Sequence, residues 1–466
     1  MPSFTITRAR LRSTFGSAPV GADLVDVTIR QGIIAAVSPA QGHGDGDVDA
    51  DGAEVLPGLW DCHAHFSLAA VIHQCLRLSP EYSQAQVYDA IRGHDGDQLL
   101  LGYGFRAATW LTPPTAASLD AVREDQPVAL ISRDLHSVWC NSLGLQLIGA
   151  ADHPTGYLVE EEAFAAIRAL MVGNPVLVEA AVAAMERQAA ALGLVGIVDF
   201  SSGWAVQAWQ ERAKTRRLGM RVEAATYPEH LDDLIALGAP TGTELTQDLR
   251  VGPLKIIADG SMGSRTAFCS LPYPQPLPGH PHGILNYSPA DLAELLGRAR
   301  SAGLQAAVHA IGDAGCRVVL DAFEATGAIG SIEHAQCVAT SDLARFGKLG
   351  LTASIQPLHQ VDDASVVGEV WPQLQHQAYP MRDLLHAGTQ IVLGSDAPVA
   401  LLDPWRTISA ACDHPFRASQ ALTWEEAVLA STRSRIAPGQ PADLILIDDR
   451  SQVQFTVVGG RVTYMG

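Results

Sequence analysis

Within 466 residues there is no Cys-x-x-Cys pair, and the seven cysteines are scattered at positions 62, 75, 140, 269, 316, 337 and 412. An odd, dispersed set argues against a disulfide framework and against a thiolate zinc site, and points to a reducing compartment. No stretch approaches about 18 uninterrupted apolar residues, the length that spans a bilayer. The opening Met1-Pro-Ser-Phe-Thr-Ile-Thr7 also lacks a basic-then-apolar signal region, so a soluble, cytoplasmic protein with no membrane partner is expected. Basic residues are few: 31 Lys and Arg stand against 50 Asp and Glu, for a net charge of −19. A field of that sign repels phosphate backbones and sets nucleic acid aside as a partner. A small-molecule substrate remains, and self-association into a homo-oligomer is left open.

What is present is ample core material: 47% hydrophobic against 17% charged residues, a globular composition. Both ends read as short strands separated by Gly and Asp turns. At the N-terminus these are Phe4–Thr7, Val25–Ile29 and Ile33–Val37, followed by an irregular loop, Gln41–Asp47. At the C-terminus they are Asp443–Ile447, Gln454–Val458 and Arg461–Tyr464. Chain ends often lie close together, so residues 1–56 and 437–466 are expected to pair into one small β-sandwich.

Residues 57–436 alternate strand-like and helical runs, which is the pattern of a parallel α/β architecture. Eight strands are expected: Leu56–Cys62, Gly196–Phe200, Met220–Ala224, Leu254–Ile257, Gln305–Val308, Gly330–Glu333, Thr352–Ile355 and Ile391–Gly394. Helical periodicity marks Pro289–Arg300 and Asp313–Ala325 between them. Eight is the number that closes a TIM barrel. The apolar run Pro127–Arg133 exceeds that count, so the segment from about 67 to 190 is expected to be an insertion after the first strand.

A barrel gathers its functional groups at the C-terminal ends of its strands. Here those ends carry His63 and His65, which share one face because strand residues two apart do, then Lys255, His309, His334 and Asp396. Four imidazoles and a carboxylate exceed what one tetrahedral ion needs. The set implies either one metal with a spare base or two metals about 3.5–4 Å apart.

Seven ordered motifs extend this pattern over almost the whole chain: Leu56-Pro-Gly-Leu-Trp-Asp-Cys-His-Ala-His65, Asp134-Leu-His-Ser-Val-Trp-Cys-Asn141, Lys255-Ile-Ile-Ala-Asp-Gly-Ser-Met-Gly-Ser264, Val308-His-Ala-Ile-Gly-Asp313, Ile332-Glu-His-Ala-Gln336, Gln356-Pro-Leu-His359 and Gly394-Ser-Asp-Ala-Pro-Val399. In these motifs the chain resembles the amidohydrolase superfamily, within it the branch of YtcJ-like amidohydrolases and N-substituted formamide deformylases. The resemblance implies that His63 and His65 hold a more buried divalent ion, His309 and His334 a more exposed one, and that Asp396 binds the nucleophilic water. Lys255 matches the lysine that relatives carboxylate with CO2 to bridge two metals; the alternative is an ordinary lysine paired with Asp259 or with a substrate anion. His136 matches a position able to donate to the substrate carbonyl, with a purely structural histidine as the alternative. Gln356, His359 and Trp110 are placed at the substrate, whereas Trp60, Trp139 and Trp371 read chiefly as core. Imidazole, carboxylate and carbamate suit Zn, Mn, Fe and Co alike, and zinc is taken as the first choice.

The expected reaction is hydrolysis of a non-peptide C–N bond, amide-type, by a metal-activated hydroxide, with Asp396 as general base and then acid. The same centre would also suit a carbamate, a lactone, a cyclic amide or a deamination. An inactive amidohydrolase-like binding protein is the reading from another class, and retention of all six metal-site positions weighs against it. Two departures from the family pattern stand out: the insertion is compressed, and Ser431–Arg435 runs almost directly into Pro438–Asp443.

Overall fold

The structure is a computed structural model that describes residues 3–41, 48–96, 98–107 and 110–466; the loop expected over Gln41–Asp47 lies, Gln41 apart, outside the described residues. Leu59–Ala64 and Leu194–Asp199 are buried along their whole length. A strand covered on both faces belongs in a sheet wrapped by other layers. These are β1 and β2 of a parallel sheet that continues in chain order through β3 (Arg221–Thr226), β4 (Leu249–Ile257), β5 (Ala306–Ala310), β6 (Gly330–His334), β7 (Thr352–Ile355) and β8 (Gln390–Leu393). Helices such as Ala205–Thr215, Pro289–Ser301 and Asp313–Thr326 return the chain between strands.

The chain after β8 comes back to β1. Ala64 and Ala397 form a parallel bridge, the Asp396 N–H donates to the His63 carbonyl at 2.7 Å, and the His65 N–H donates to the Ala397 carbonyl at 2.7 Å. The sheet is thereby a nearly closed (β/α)8 barrel. Its lumen is side chains at van der Waals contact: a Cβ added to Gly196 would sit 2.4 Å from the Trp60 ring, so β2 needs glycine there for β1 to carry tryptophan.

Leu56 and Pro57, expected within the first barrel strand, belong elsewhere. Glu54–Pro57 pairs antiparallel with Leu444–Ile447, and the barrel strand begins only at Leu59. The Pro57-Gly58 break redirects the chain, with the Gly58 N–H donating to the Asp443 carbonyl at 2.9 Å. Two four-stranded sheets result, one from the N-terminal strands and one from the three C-terminal strands plus Glu54–Pro57. Ile6, Val27, Ile29, Val55, Leu444, Leu446, Phe455 and Val457 fill one common core between them, which makes the β-sandwich.

The chain divides into two compact units, Met1–His65 with Glu186–Gly466, and Phe66–Met185. The second is the insertion, and it has a sheet of its own in the order Tyr157–Val159, Ser137–Cys140, Val128–Ser132, Leu100–Phe105, Leu76–Arg77. Val128–Ser132, the run left over from the barrel count, is its central strand. Leu78, Val87, Ile91, Phe105, Leu119, Leu130 and Trp139 form the core beneath it.

Asn141 is the hub of this unit. It is fully buried; its Oδ1 accepts from the N–H groups of Gly144 (2.8 Å) and Val128 (2.9 Å), and its Nδ2 donates to the carbonyls of Gln126 (2.8 Å) and Arg123 (2.9 Å). Each buried group left unpaired costs about 1–3 kcal/mol. Asn141→Ala is therefore expected to lower stability by on the order of 3 kcal/mol and to open residues 66–185 to limited proteolysis. Denaturant unfolding unchanged from the parent would refute the assignment of Asn141 as the hub.

Candidate metal centre

The first part of the site lies at an irregularity in β1, where the pairing with β2 shifts register between Asp61 and Ala64. There the Asp61 carboxylate accepts from the N–H groups of His63 (3.0 Å) and Ser395 (3.0 Å). It thus fastens the turn that carries Asp396 to the strand that carries His63. Burial raises the Asp61 carboxyl to about 6 against those hydrogen bonds.

Two residues are held against their usual backbone preference. His334 lies at φ 71° and Asp396 at φ 59°, in the left-handed region that non-glycine residues seldom occupy. Such strain, on the order of 1–3 kcal/mol each, persists where the surroundings over-determine the geometry, typically at functional sites. Its effect here is specific. Consecutive strand residues point to opposite faces, yet Glu333 and His334 both reach His63: Glu333 Oε2 lies 2.6 Å from His63 Nδ1, and the His334 ring centroid lies 4.9 Å from that of His63.

Around Asp396 the distances are short. Its Oδ1 is 3.3 Å from His65 Nε2 and 3.5 Å from His63 Nε2, and its Oδ2 is 3.4 Å from His359 Nε2. One ligand atom each from His63, His334 and Asp396 lies within 4.8 Å of the others. Donors about 2.1 Å from one tetrahedral ion stand about 3.4 Å apart, so contacts of this length suit atoms that share a cation. His309 joins through its ring, 4.4 Å from that of His334. Its Nε2–H donates to the Gly260 carbonyl at 3.1 Å, which leaves Nδ1 with the lone pair. Buried His334 Nδ1 has no hydrogen-bond partner among the described residues, an orphan that a cation would satisfy.

Protonation favours the same use. Burial, aided by Lys255, lowers His63 to about 4 and His309 to about 3, and burial holds His334 well below its ordinary value. All three are neutral imidazoles near pH 7, the form that binds metal. Burial opposes the charge on Asp396, but the imidazoles of His359 and His65 close to its oxygens outweigh it and keep the carboxyl well below the carboxylate range. Lys255 is 2% exposed; burial brings it down to about 8 against the pull of Glu333 and Asp396, and its Nζ lies 3.2 Å from His63 Nε2 and 4.3 Å above the Phe200 ring. The chemistry of the donor set fits a divalent cation held by His63, His334 and Asp396, with His65, His309 and Lys255 adjoining.

Several expectations are refined by this geometry. Burial does not divide the histidines into the pairs His63/His65 and His309/His334: His63 and His334 are 1% and 4% exposed, while the side chains of His65 and His309 are 28% and 14% exposed. Asp259, the alternative partner of Lys255, instead accepts from the N–H groups of Phe268, Ile311 and Gly312 and lies 3.5 Å from His309. Burial raises it to about 7. Gln356 and His359 both follow β7; His359 reaches Asp396, whereas Gln356 is buried with its Nε2 directed back at the Ser354 carbonyl (3.3 Å).

His136 and Trp110 belong to the insertion. His136 Nδ1 lies 3.0 Å from Glu160 Oε2 and its ring packs on Phe164, while Trp110 stacks on Phe105 and donates its Nε1–H to the Tyr82 carbonyl at 2.9 Å. Trp60, Trp139 and Trp371 are buried core residues. The residues that sequence reasoning missed are Asp61 and Glu333. Asp61 was signalled by its position two residues before His63, but Glu333 had no such signal.

A parallel eight-strand barrel with imidazoles, a carboxylate and a buried lysine converging at its C-terminal ends defines a metal-dependent hydrolase. The amidohydrolase family model matches residues 47–464, and the chain belongs to that family. It is similar to the protein LONG AFTER FAR-RED 3 of Arabidopsis thaliana (27% identity over 94% of this chain and 86% of the relative). It is also similar to the putative amidohydrolase YtcJ of Bacillus subtilis (25%, over 90% of each) and the N-substituted formamide deformylase of Arthrobacter pascens (26%, over 85% and 80%). Among solved structures, an uncharacterized metal-dependent hydrolase from Pyrococcus furiosus superposes with a TM-score of 0.82 at 25% identity, covering 96% of this chain and 99% of that one.

Proposed function

We propose that the protein hydrolyses an amide-type, non-peptide C–N bond of a small molecule in a reaction that needs one or two divalent cations, zinc foremost. The observation that carries the reading is the meeting of Asp396 with His63, His65 and His359 at 3.3–3.5 Å beside the orphaned His334 nitrogen. The formamide deformylase named among its relatives supports the choice of bond. When bound, the cation supplies Lewis-acid polarisation of the scissile carbonyl and makes water acidic enough to attack near neutral pH.

The chain's own residues do the rest. Asp396, ionised and directed by its imidazole neighbours, takes the proton from the attacking water at a carboxylate oxygen and hands it to the departing nitrogen. His359 steadies the far oxygen of that carboxylate. Lys255, buried with no carboxylate in contact among the described residues, has its amine brought down to about 8, so a minor neutral fraction is present near neutral pH. The neutral fraction of such an amine can add to CO2, forming an N–C bond as one C=O π bond opens and losing one proton, and the carbamate would supply an anionic oxygen ligand to a divalent cation.

Treatment with a chelator should abolish turnover of N-formyl and N-acyl amides, with recovery on adding Zn or Co. The loaded protein should also unfold at a higher temperature, because an ion at 100 times its Kd stabilises by about 2.7 kcal/mol. Full activity in metal-free protein would defeat the reading. A metal content near two equivalents that falls after bicarbonate depletion would support the carbamate.

A further inference from the structure

His63 stands between two groups that leave its ring little choice. On one side Glu333 Oε2 lies 2.6 Å from Nδ1; on the other, Lys255 Nζ lies 3.2 Å from Nε2 and Asp396 Oδ1 lies 3.5 Å from it. All four residues are 7% exposed or less. A neutral imidazole has one N–H and one lone pair. Two acceptors do not approach to 2.6 Å without a proton between them, so a hydrogen lies on the Nδ1 to Glu333 line. Glu333 Oε1 also accepts from the Ser331 hydroxyl, and two donors on one carboxyl favour the carboxylate over the acid. The proton therefore resides on Nδ1, and Nε2 keeps the lone pair that faces Lys255 and the centre of the site.

We infer that Glu333 is a positioning residue that fixes His63 in its Nδ1–H form and orients its Nε2 lone pair as a metal ligand. The inference rests on the metal-dependent reading above. At His309 the outer nitrogen instead donates to the Gly260 carbonyl at 3.1 Å, with the Asp259 carboxyl farther off at 3.5 Å. A carboxylate behind an imidazole raises the basicity of the ligating nitrogen and locks the ring's rotation. Glu333 can take this place only because the left-handed turn at His334 lets two consecutive residues enter the site together.

The test has two independent arms. In the metal-free parent protein, ¹⁵N-histidine NMR, with the His63 signals assigned by their loss in His63→Asn, is expected to show the Nδ1–H tautomer; an Nε2–H tautomer overturns the inference. Zn(II) affinity is then measured by chelator competition on the parent, Glu333→Gln and Glu333→Ala. Losing an outer partner of this kind typically costs about 10- to 100-fold in metal affinity, and that loss is expected for the alanine variant. Glutamine, which still accepts from Nδ1, should retain most of the affinity. Equal affinity in the parent and Glu333→Ala overturns the inference while the metal-dependent reading stands. A parent that binds no Zn(II) overturns both. Should Glu333→Ala fail to fold, the tautomer measurement on the parent and the glutamine variant still decide.

Discussion

Replacing Asp396 by asparagine is expected to lower kcat by about 10²- to 10⁴-fold, the usual contribution of a positioned acid–base group, while fold and bound metal remain. Asparagine keeps the size of the side chain and an oxygen that can face His63 and His65, so the contacts near 3.3–3.5 Å have a counterpart in the variant. What it loses is the ability to accept a proton. Burial alone would push the Asp396 carboxyl up, yet the imidazoles of His359 and His65 beside its oxygens hold it low, so it is ionised at any pH near neutrality and ready to act. Steady-state kinetics beside metal analysis separate the outcomes. Turnover within tenfold of the parent removes Asp396 from the chemistry, and lost turnover together with lost metal makes it chiefly a ligand.

The second large effect is expected from Gly394→Ala, through the backbone. A Cβ at Gly394 would stand 2.5 Å from the His63 nitrogen, 2.7 Å from its Cβ and 3.0 Å from its Cα. None of these atoms is a flexible side-chain end, so the seam between β1 and the chain after β8 has to part. Overpacking costs about 1–3 kcal/mol where side chains can adjust, and more is expected where backbone must move. Parting the seam also breaks the hydrogen bonds from Asp396 N–H to His63 and from His65 N–H to Ala397. The expected result is a loss on the order of 4 kcal/mol, or no soluble protein, with weakened metal binding in whatever folds. Gly297→Ala serves as a control: its Cβ meets nothing within 4 Å and it lies inside the helix Pro289–Ser301, where alanine should stabilise by up to about 1 kcal/mol. Similar behaviour of the two variants in thermal unfolding would discount the steric account.

Most of the barrel strands were legible as short apolar runs bounded by turn residues, clearest at Leu59–Ala64 and Leu194–Asp199, which are buried on both faces; Arg221–Thr226 instead alternates polar and apolar residues. The first was read too early. Leu56-Pro57 and Leu59 onward form one apolar run in the sequence, and only the pairing of Glu54–Pro57 with Leu444–Ile447 separates them. The insertion's sheet was largely hidden, since edge strands such as Leu76–Arg77 and Tyr157–Val159 are two and three residues long and carry almost no periodicity. At the site, His63, His65, Lys255, His309, His334 and Asp396 stood out as rare residue types at strand ends. Glu333 did not, because alternation assigns it to the face opposite His334, and backbone conformation at a single residue is not written in residue types.

The seam also orders events in time. Ser395 and Asp61, joined by a hydrogen bond at the heart of the site, are 334 residues apart in the chain. At a synthesis rate of about 5–20 residues per second, His63 waits on the order of 20–60 s on the ribosome before its neighbours from the end of β8 exist. Contacts of such separation form late in folding because closing the intervening loop is entropically costly. No shortened nascent chain that lacks the end of β8 can therefore assemble the cluster of His63, His334 and Asp396.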